Sequence, residues 1–136
     1  MGGLLLKMSL RFKCINKKAF LNFIKQDERP GVEWGLKWFA ALPELASFFA
    51  VMNYDGIVGV YYLKPNLSGY ELGVYIGHTK RRSGILKHLI GFLSAKDLFV
   101  EISRYNEFSF AVFTKLGFQL IDEKKNSKVL MKKLAH

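Results

Sequence analysis

A single cysteine, three prolines and no long apolar run set the first limits on this chain of 136 residues. With Cys14 alone, an internal disulfide is impossible and a cysteine metal cluster is excluded, which suits a reducing compartment, with the cytoplasm as the default. The longest apolar stretch, Leu36 to Met52, is interrupted by Lys37, Pro43 and Glu44, whereas a membrane span needs ~20 nearly uninterrupted apolar residues, so no membrane association is expected. The opening MGGLLLKM lacks a cleavage-site pattern, and Leu6 stands where a myristoylation motif needs Ser or Thr. Residues 1–7 therefore read as a tail or cloning remnant and 8–136 as one domain, since a chain of this length fits a single continuous core. Histidine is also scarce: His78, His88 and His136 lack metal-ligand spacing, no carboxylate cluster completes a site, and no metal is expected.

Acidic residues are the other shortage, with 11 Asp and Glu against 21 Lys and Arg and a net charge of +10. Such an excess attracts anions, whether nucleic acid, acidic protein or a phosphorylated cofactor, and charge alone does not choose among them. Lys124, Lys125, Lys128, Lys132 and Lys133 fall in a terminal hairpin, where a solvated face is the ordinary explanation. No recognised nucleic-acid motif accompanies them, so charge is the only support for a nucleic-acid partner. What the chain has in quantity is apolar surface: 50% hydrophobic residues, with 15% aromatic, exclude disorder and imply a packed globule.

Periodicity supplies the elements. Leu10 to Ile15 alternates apolar and basic residues as a half-buried strand does, and Lys17 to Gln26 sets Phe20, Leu21 and Ile24 on one helical face. Pro30 and Gly31 break that helix, and Val32 to Ser47 reads as a second helical region with Trp34, Trp38 and Phe39 and a kink or boundary at Pro43. Phe48 to Asn53 and Ile57 to Leu63 are strand-like runs around Tyr54, Asp55 and Gly56, an Asp-Gly hairpin signal. A strand over Tyr70 to Gly77 follows. Ser83 to Lys96 then places Ile85, Leu86, Leu89, Ile90 and Leu93 at helical spacing, and Asp97 to Ser103 returns to a strand. Glu107 to Leu116 reads as a helix closed by Gly117, with strands at Phe118 to Asp122 and Val129 to Leu134 behind it. The fold class is mixed α/β (α+β), a sheet with helices on its faces.

The strand at Tyr70 to Gly77 delivers the basic turn His78-Thr79-Lys80-Arg81-Arg82-Ser83-Gly84 to a helix start. First-turn amides lack internal partners and carry the positive end of the helix dipole, so this geometry suits a pyrophosphate. Arg81 and Arg82 add charge, and Gly84 permits close approach of the backbone. An ordinary solvated basic loop has the same composition. Further on, Phe99 to Asn106 is followed by Ser109, Phe113 and Lys115-Leu116-Gly117-Phe118.

Together these two signatures resemble the GNAT superfamily of N-acetyltransferases, whose cofactor loop follows R/Q-x-x-G-x-G/A and whose next strand and helix carry N-x-x-A, a tyrosine and K-L-G-F. Arg81 and Gly84 match the first pattern, and Asn106 and Lys115 to Phe118 the second. The resemblance covers the chain from about Ile57 to its end, and the earlier elements agree with the family's order. It implies a mostly antiparallel sheet with two parallel central strands that splay apart around acetyl-CoA, and transfer of the acetyl group to an amine of a protein or small molecule by direct attack. It further implies that Tyr75 and Ile76 offer backbone contacts, that Arg81, Arg82, Ser83, Gly84, Ile85 and Leu86 hold the phosphates, and that Asn106 meets the pantetheine arm. Asn is also a preferred helix N-cap, and both roles can hold at once. The same likeness sets Trp34, Trp38 and Phe39 beside the acceptor cleft, although aromatic residues at helical spacing are more often core.

An amine of pKa ~10 is mostly protonated at neutral pH, so the reaction needs a base or a water relay. Glu101 resembles the base position of acetyltransferases that modify ribosomal-protein N-termini, and Glu71 that of the histone-acetylating branch; Glu101 is slightly preferred. The alternative for either is a carboxylate balancing nearby lysines. The sequence departs from the pattern at Phe113, where the family's acid tyrosine would fall, and at Leu86, where the loop asks for Gly or Ala. A thiol of pKa ~8.5 is a tolerable leaving group without that tyrosine, and Tyr105 or water could replace it. These departures leave a second function open: a degenerate member that binds CoA or serves an interaction role. The acceptor and the oligomeric state leave no mark in the sequence.

Overall fold

The computed structural model describes residues 9–26, 36–37, 39–40, 45–66, 69–77, 84–93 and 97–132, and among these the two periods of the sequence separate into seven strands and three helices with complete bounds. In chain order these are β1 (Arg11–Ile15), α1 (Lys17–Lys25), β2 (Ser47–Asn53), β3 (Gly56–Asn66), β4 (Gly69–Ile76), α2 (Ile85–Phe92), β5 (Asp97–Ser103), α3 (Glu107–Lys115), β6 (Gln119–Glu123) and β7 (Ser127–Lys132). Local chemistry sets several boundaries. Asn16 ends β1 and starts α1, its side chain accepting from the Ala19 amide at 2.8 Å. The turn between β2 and β3 is closed by Gly56 at φ 114, while Asn53 Oδ1 accepts from the Asp55 amide at 2.7 Å. At the end of α3, Gly117 takes φ 99, and the Phe118 and Gly117 amides donate to the Phe113 and Thr114 carbonyls, so the last turn is closed by a Schellman motif.

Two expected boundaries move. Ser47, expected at the end of a helical region, opens β2 instead, because the antiparallel register against β3 runs back to Ser47 and Leu63. The helix expected to reach Lys96 ends at Phe92. Gly91 weakens its last turn, and the Phe92 ring stacks on Phe12 of β1 with centroids 4.1 Å apart. Of the aromatic region, residues 36–37 and 39–40 are helical, and Trp34 and Trp38 lie outside the described residues.

The strands form one sheet in the order β1-β2-β3-β4-β5-β7-β6, antiparallel at every step except β4 with β5. It is therefore a mixed, mostly antiparallel sheet with one parallel pair near its centre. Side-chain alternation gives it two working faces. On one, Tyr61, Leu72, Leu98, Val100, Ile102 and Leu130 pack with Ile85, Leu89 and Ile90 of α2 and Phe113 of α3. On the other, Phe48, Val60, Tyr62 and Tyr75 pack with Phe20 and Ile24 of α1 and with Phe39. Burying each such side chain contributes roughly 1.5–3 kcal/mol, and the two clusters clamp the sheet between its helices.

Candidate functional site

The parallel pair is short. β4 and β5 are in register only at Gly69 with Asp97, Tyr70 with Leu98 and Glu71 with Phe99, yet β4 continues to Ile76 and β5 to Ser103. Beyond Glu71 the two strands diverge, and among the described residues this edge of β4 has no strand partner. The narrow start is enforced by Gly69, where a Cβ would collide with the Asp97 backbone. Further along, the Gly77 amide donates to the Val58 carbonyl at 2.9 Å, which fixes the alternation of β4. The backbone groups of Val74 and Ile76 consequently face the cleft, and those of Tyr75 face β3. The Tyr75 side chain is 5% exposed and packs in the α1 cluster.

The wide end of the cleft faces two helix starts. α2 begins behind Gly84, which is left-handed (φ 83, ψ 3) and, having no side chain, offers the first-turn amides no capping oxygen of its own. Ile85 is buried in the core, and Leu86 is partly buried against it. Arg81, Arg82 and Ser83, expected to complete the phosphate-binding turn, lie outside the described residues. α3 begins at Asn106, whose Oδ1 accepts from the Ser109 amide at 3.1 Å, so this residue is an N-cap; it is also exposed at the cleft end of β5. Phe113 is 6% exposed, with its ring edge-on to Phe118 at 5.1 Å, so the position is filled by core packing. Tyr105 is 80% exposed beside Asn106.

Both candidate carboxylates project on the α1 face of the sheet, since Leu72 and Ile102, their chain neighbours, point into the opposite core. Their surroundings differ. Glu101 accepts from Ser127 Oγ at 2.7 Å on one oxygen and pairs with Lys124 Nζ at 3.2 Å through the other. Arg104 fastens the same corner, donating to the Lys124 and Lys125 carbonyls at 2.8 and 3.2 Å. Glu71 stands at the last paired position before the strands part, and its Oε2 accepts a hydrogen bond from Tyr62 Oη at 2.8 Å. Lys64 stands opposite it on β3, but among the described residues no cation forms a salt bridge with it. Tyr62 is a neighbour of the candidate Glu71 that sequence reasoning missed. The signal was present in the hairpin register, which puts Tyr62 opposite Gly73 and one diagonal step from Glu71.

Elsewhere, a groove of about 500 Å³ runs along α1, lined by Lys17, Lys18, Leu21, Lys25, Leu36 and Ala40; neither glutamate borders it. Among the described residues, no three His, Cys, Asp or Glu side chains gather as metal ligands. None of the described helices is long and apolar enough to cross a membrane.

No protein-family model matches the sequence, and no curated protein matches it. Solved structures do. An acetyltransferase from Thermus thermophilus superposes with a TM-score of 0.71 at 14% identity, over 93% of this chain and 98% of that one. The Campylobacter jejuni N-acetyltransferase PseH in complex with acetyl coenzyme A gives 0.63 at 18% identity, over 93% and 99%. The spermidine N-acetyltransferase SpeG from Vibrio cholerae, as its F149G mutant, gives 0.64 at 10% identity, over 91% and 93%. With its one parallel pair inside an antiparallel sheet, the chain has the fold of the GNAT N-acetyltransferases.

Proposed function

We propose that the protein is an acetyl-CoA-dependent N-acetyltransferase that transfers the acetyl group to an amine of a small molecule or protein. The observation that carries this reading is the divergence of β4 from β5 after Glu71, which among the described residues leaves a strand edge open, together with a helix start whose N-cap position is a bare glycine. An extended amide-bearing arm fits such an edge, and a pyrophosphate fits such a helix start. In this reading Val74 and Ile76 offer backbone groups to the arm. Gly84, Ile85 and Leu86, with Arg81, Arg82 and Ser83, hold the phosphates, and Asn106 flanks the arm from the β5 side. Bound there, acetyl-CoA supplies a thioester carbonyl open to attack. Its occurrence in the PseH complex, a protein of the same fold, supports the choice of donor.

The residues of the chain then manage protons. Of the two carboxylates, Glu71 suits a base better, reversing the preference drawn from sequence. Glu101 is neutralised by Lys124 and already accepts from Ser127, so a proton on it displaces an ion pair. Glu71 shares one oxygen with a neutral phenol, and Lys64, opposite it on β3, forms no ion pair with it. It takes the proton from the incoming ammonium, directly or through water, as the amine attacks the carbonyl and the thiolate departs. With Phe113 held in the core, the thiolate takes its proton from water or from Tyr105. Calorimetric titration with acetyl-CoA, followed by free-thiol release across a panel of amines, tests the proposal; neither binding nor release would sink it.

A second reading rests on Phe113. Core packing at the position of the family's acid favours a slow transferase or a CoA-binding protein without turnover. Acetyl-CoA binding without thiol release selects it.

A further inference from the structure

Tyr62 and Gly73 face one another across β3 and β4. The Tyr62 ring is 2% exposed and is held edge-on by Phe20 at 6.4 Å and by Phe39 at 5.9 Å. A Cβ at position 73 would collide with the edge of that ring. Only with a bare backbone there can the ring lean across β4 and bring its hydroxyl within 2.8 Å of Glu71 Oε2. Aromatic contacts from Phe20 and Phe39 and the absent side chain at Gly73 thus hold the donor in place. Phenylalanine would fill the same apolar pocket without the cost of desolvating a hydroxyl, so tyrosine at this depth calls for what the hydroxyl does.

We infer that Tyr62 is a positioning residue for Glu71, an assignment that rests on the reading of Glu71 as base. Its hydroxyl occupies Oε2, fixes the rotamer of the carboxylate at the point where the strands part, and leaves Oε1 as the oxygen that takes the proton. Gly73 belongs to the same device, because it is the space through which the ring reaches.

The test uses the full chain as wild type, Tyr62→Phe, Glu71→Gln and the double variant, assayed with acetyl-CoA and the amine of highest turnover, with thermal melts of all four. Tyr62→Phe is expected to fold, to lower kcat about tenfold with an unchanged KM for acetyl-CoA, and to cost nothing further when added to Glu71→Gln. Wild-type kcat in Tyr62→Phe overturns the inference. An equal loss in the Glu71→Gln background also overturns it, since it marks a structural role. Glu71→Gln with wild-type kcat removes the base assignment itself, whereas an inactive Glu71→Gln beside an active Tyr62→Phe removes only the role of Tyr62. A readout independent of turnover is the side-chain carboxyl ¹³C resonance of Glu71, identified by its loss in Glu71→Gln. It should shift in Tyr62→Phe, and a resonance that stays in place also overturns the inference.

Discussion

The two faces of the sheet treat adjacent residues of β3 in opposite ways. Tyr61 and Tyr62 are each 2% exposed. Tyr61 turns toward α2 and α3, stacks on Phe49 at 4.9 Å, and has its phenol pushed up to about 12, first by burial and then by the charge of Cys14. Tyr62 turns toward α1 and hands its hydroxyl to a carboxylate. Equal depth therefore does not decide which groups a phenol can meet. The face it turns toward does, and surroundings likewise separate the two glutamates: one is bound into the β6–β7 corner, the other is held by a neutral donor where two strands part.

The largest effect expected is on that second contrast. Replacing a positioned base by its amide removes a contribution of ~10²–10⁴-fold, so Glu71→Gln should lower kcat by that order in the thiol-release assay. Glu101→Gln should stay within a few-fold of wild type, because it removes a carboxylate already engaged by Lys124 and Ser127. Equal losses in the two variants would erase the distinction between the arms of the cleft.

Much of the fold was legible in the sequence because it is written at short range. The 3.6-residue spacing of Phe20 and Ile24, the Asp-Gly turn and the Gly117 stop are all satisfied by neighbours in the chain. Ser47 was misplaced because strand register against Leu63, not local pattern, decides where β2 starts. Both glutamates were found as candidates through a family resemblance, but the difference in their surroundings was not readable. It depends on Ser127 and Lys124, which lie 26 and 23 residues from Glu101, and on Tyr62, nine residues before Glu71. Phe113 was legible as a departure from pattern, and only packing against Phe118 gives it a place in the core.

The contrast between the tyrosines sharpens at high pH. Because the folded protein holds the Tyr61 phenol neutral up to about 12 while the unfolded chain ionises near 10, unfolding releases a proton in that window. The stability this group contributes is complete below pH 10 and is lost as pH rises toward 12, by at most about 2–3 kcal/mol. Tyr61→Phe should lack this part of the alkaline loss in urea titrations at pH 9 and 11.5, and an unchanged pH dependence would argue against a buried neutral phenol. On the other face, Gly73→Ala forces the Tyr62 ring aside and should lower stability by about 1–3 kcal/mol, read as a shift in the urea midpoint. The same change at Gly91, where an added Cβ meets nothing within 4 Å, should be neutral or slightly stabilising.

The smallest effect separates structure from binding within one residue. Asn106 caps α3 through Oδ1, so Asn106→Ala should cost about 1 kcal/mol in chemical denaturation. Asp caps as well as Asn but brings no amide donor, and its charge favours the helix start. Asn106→Asp should therefore keep the stability of the wild type, and whatever it loses in acetyl-CoA affinity comes from the missing amide donor and from the added charge beside an anionic cofactor. A several-fold weaker Kd with unchanged stability would show that the cap also serves the cleft. Wild-type affinity in Asn106→Asp would leave Asn106 with the same standing as Tyr61, a polar group in the right neighbourhood whose work is confined to the fold.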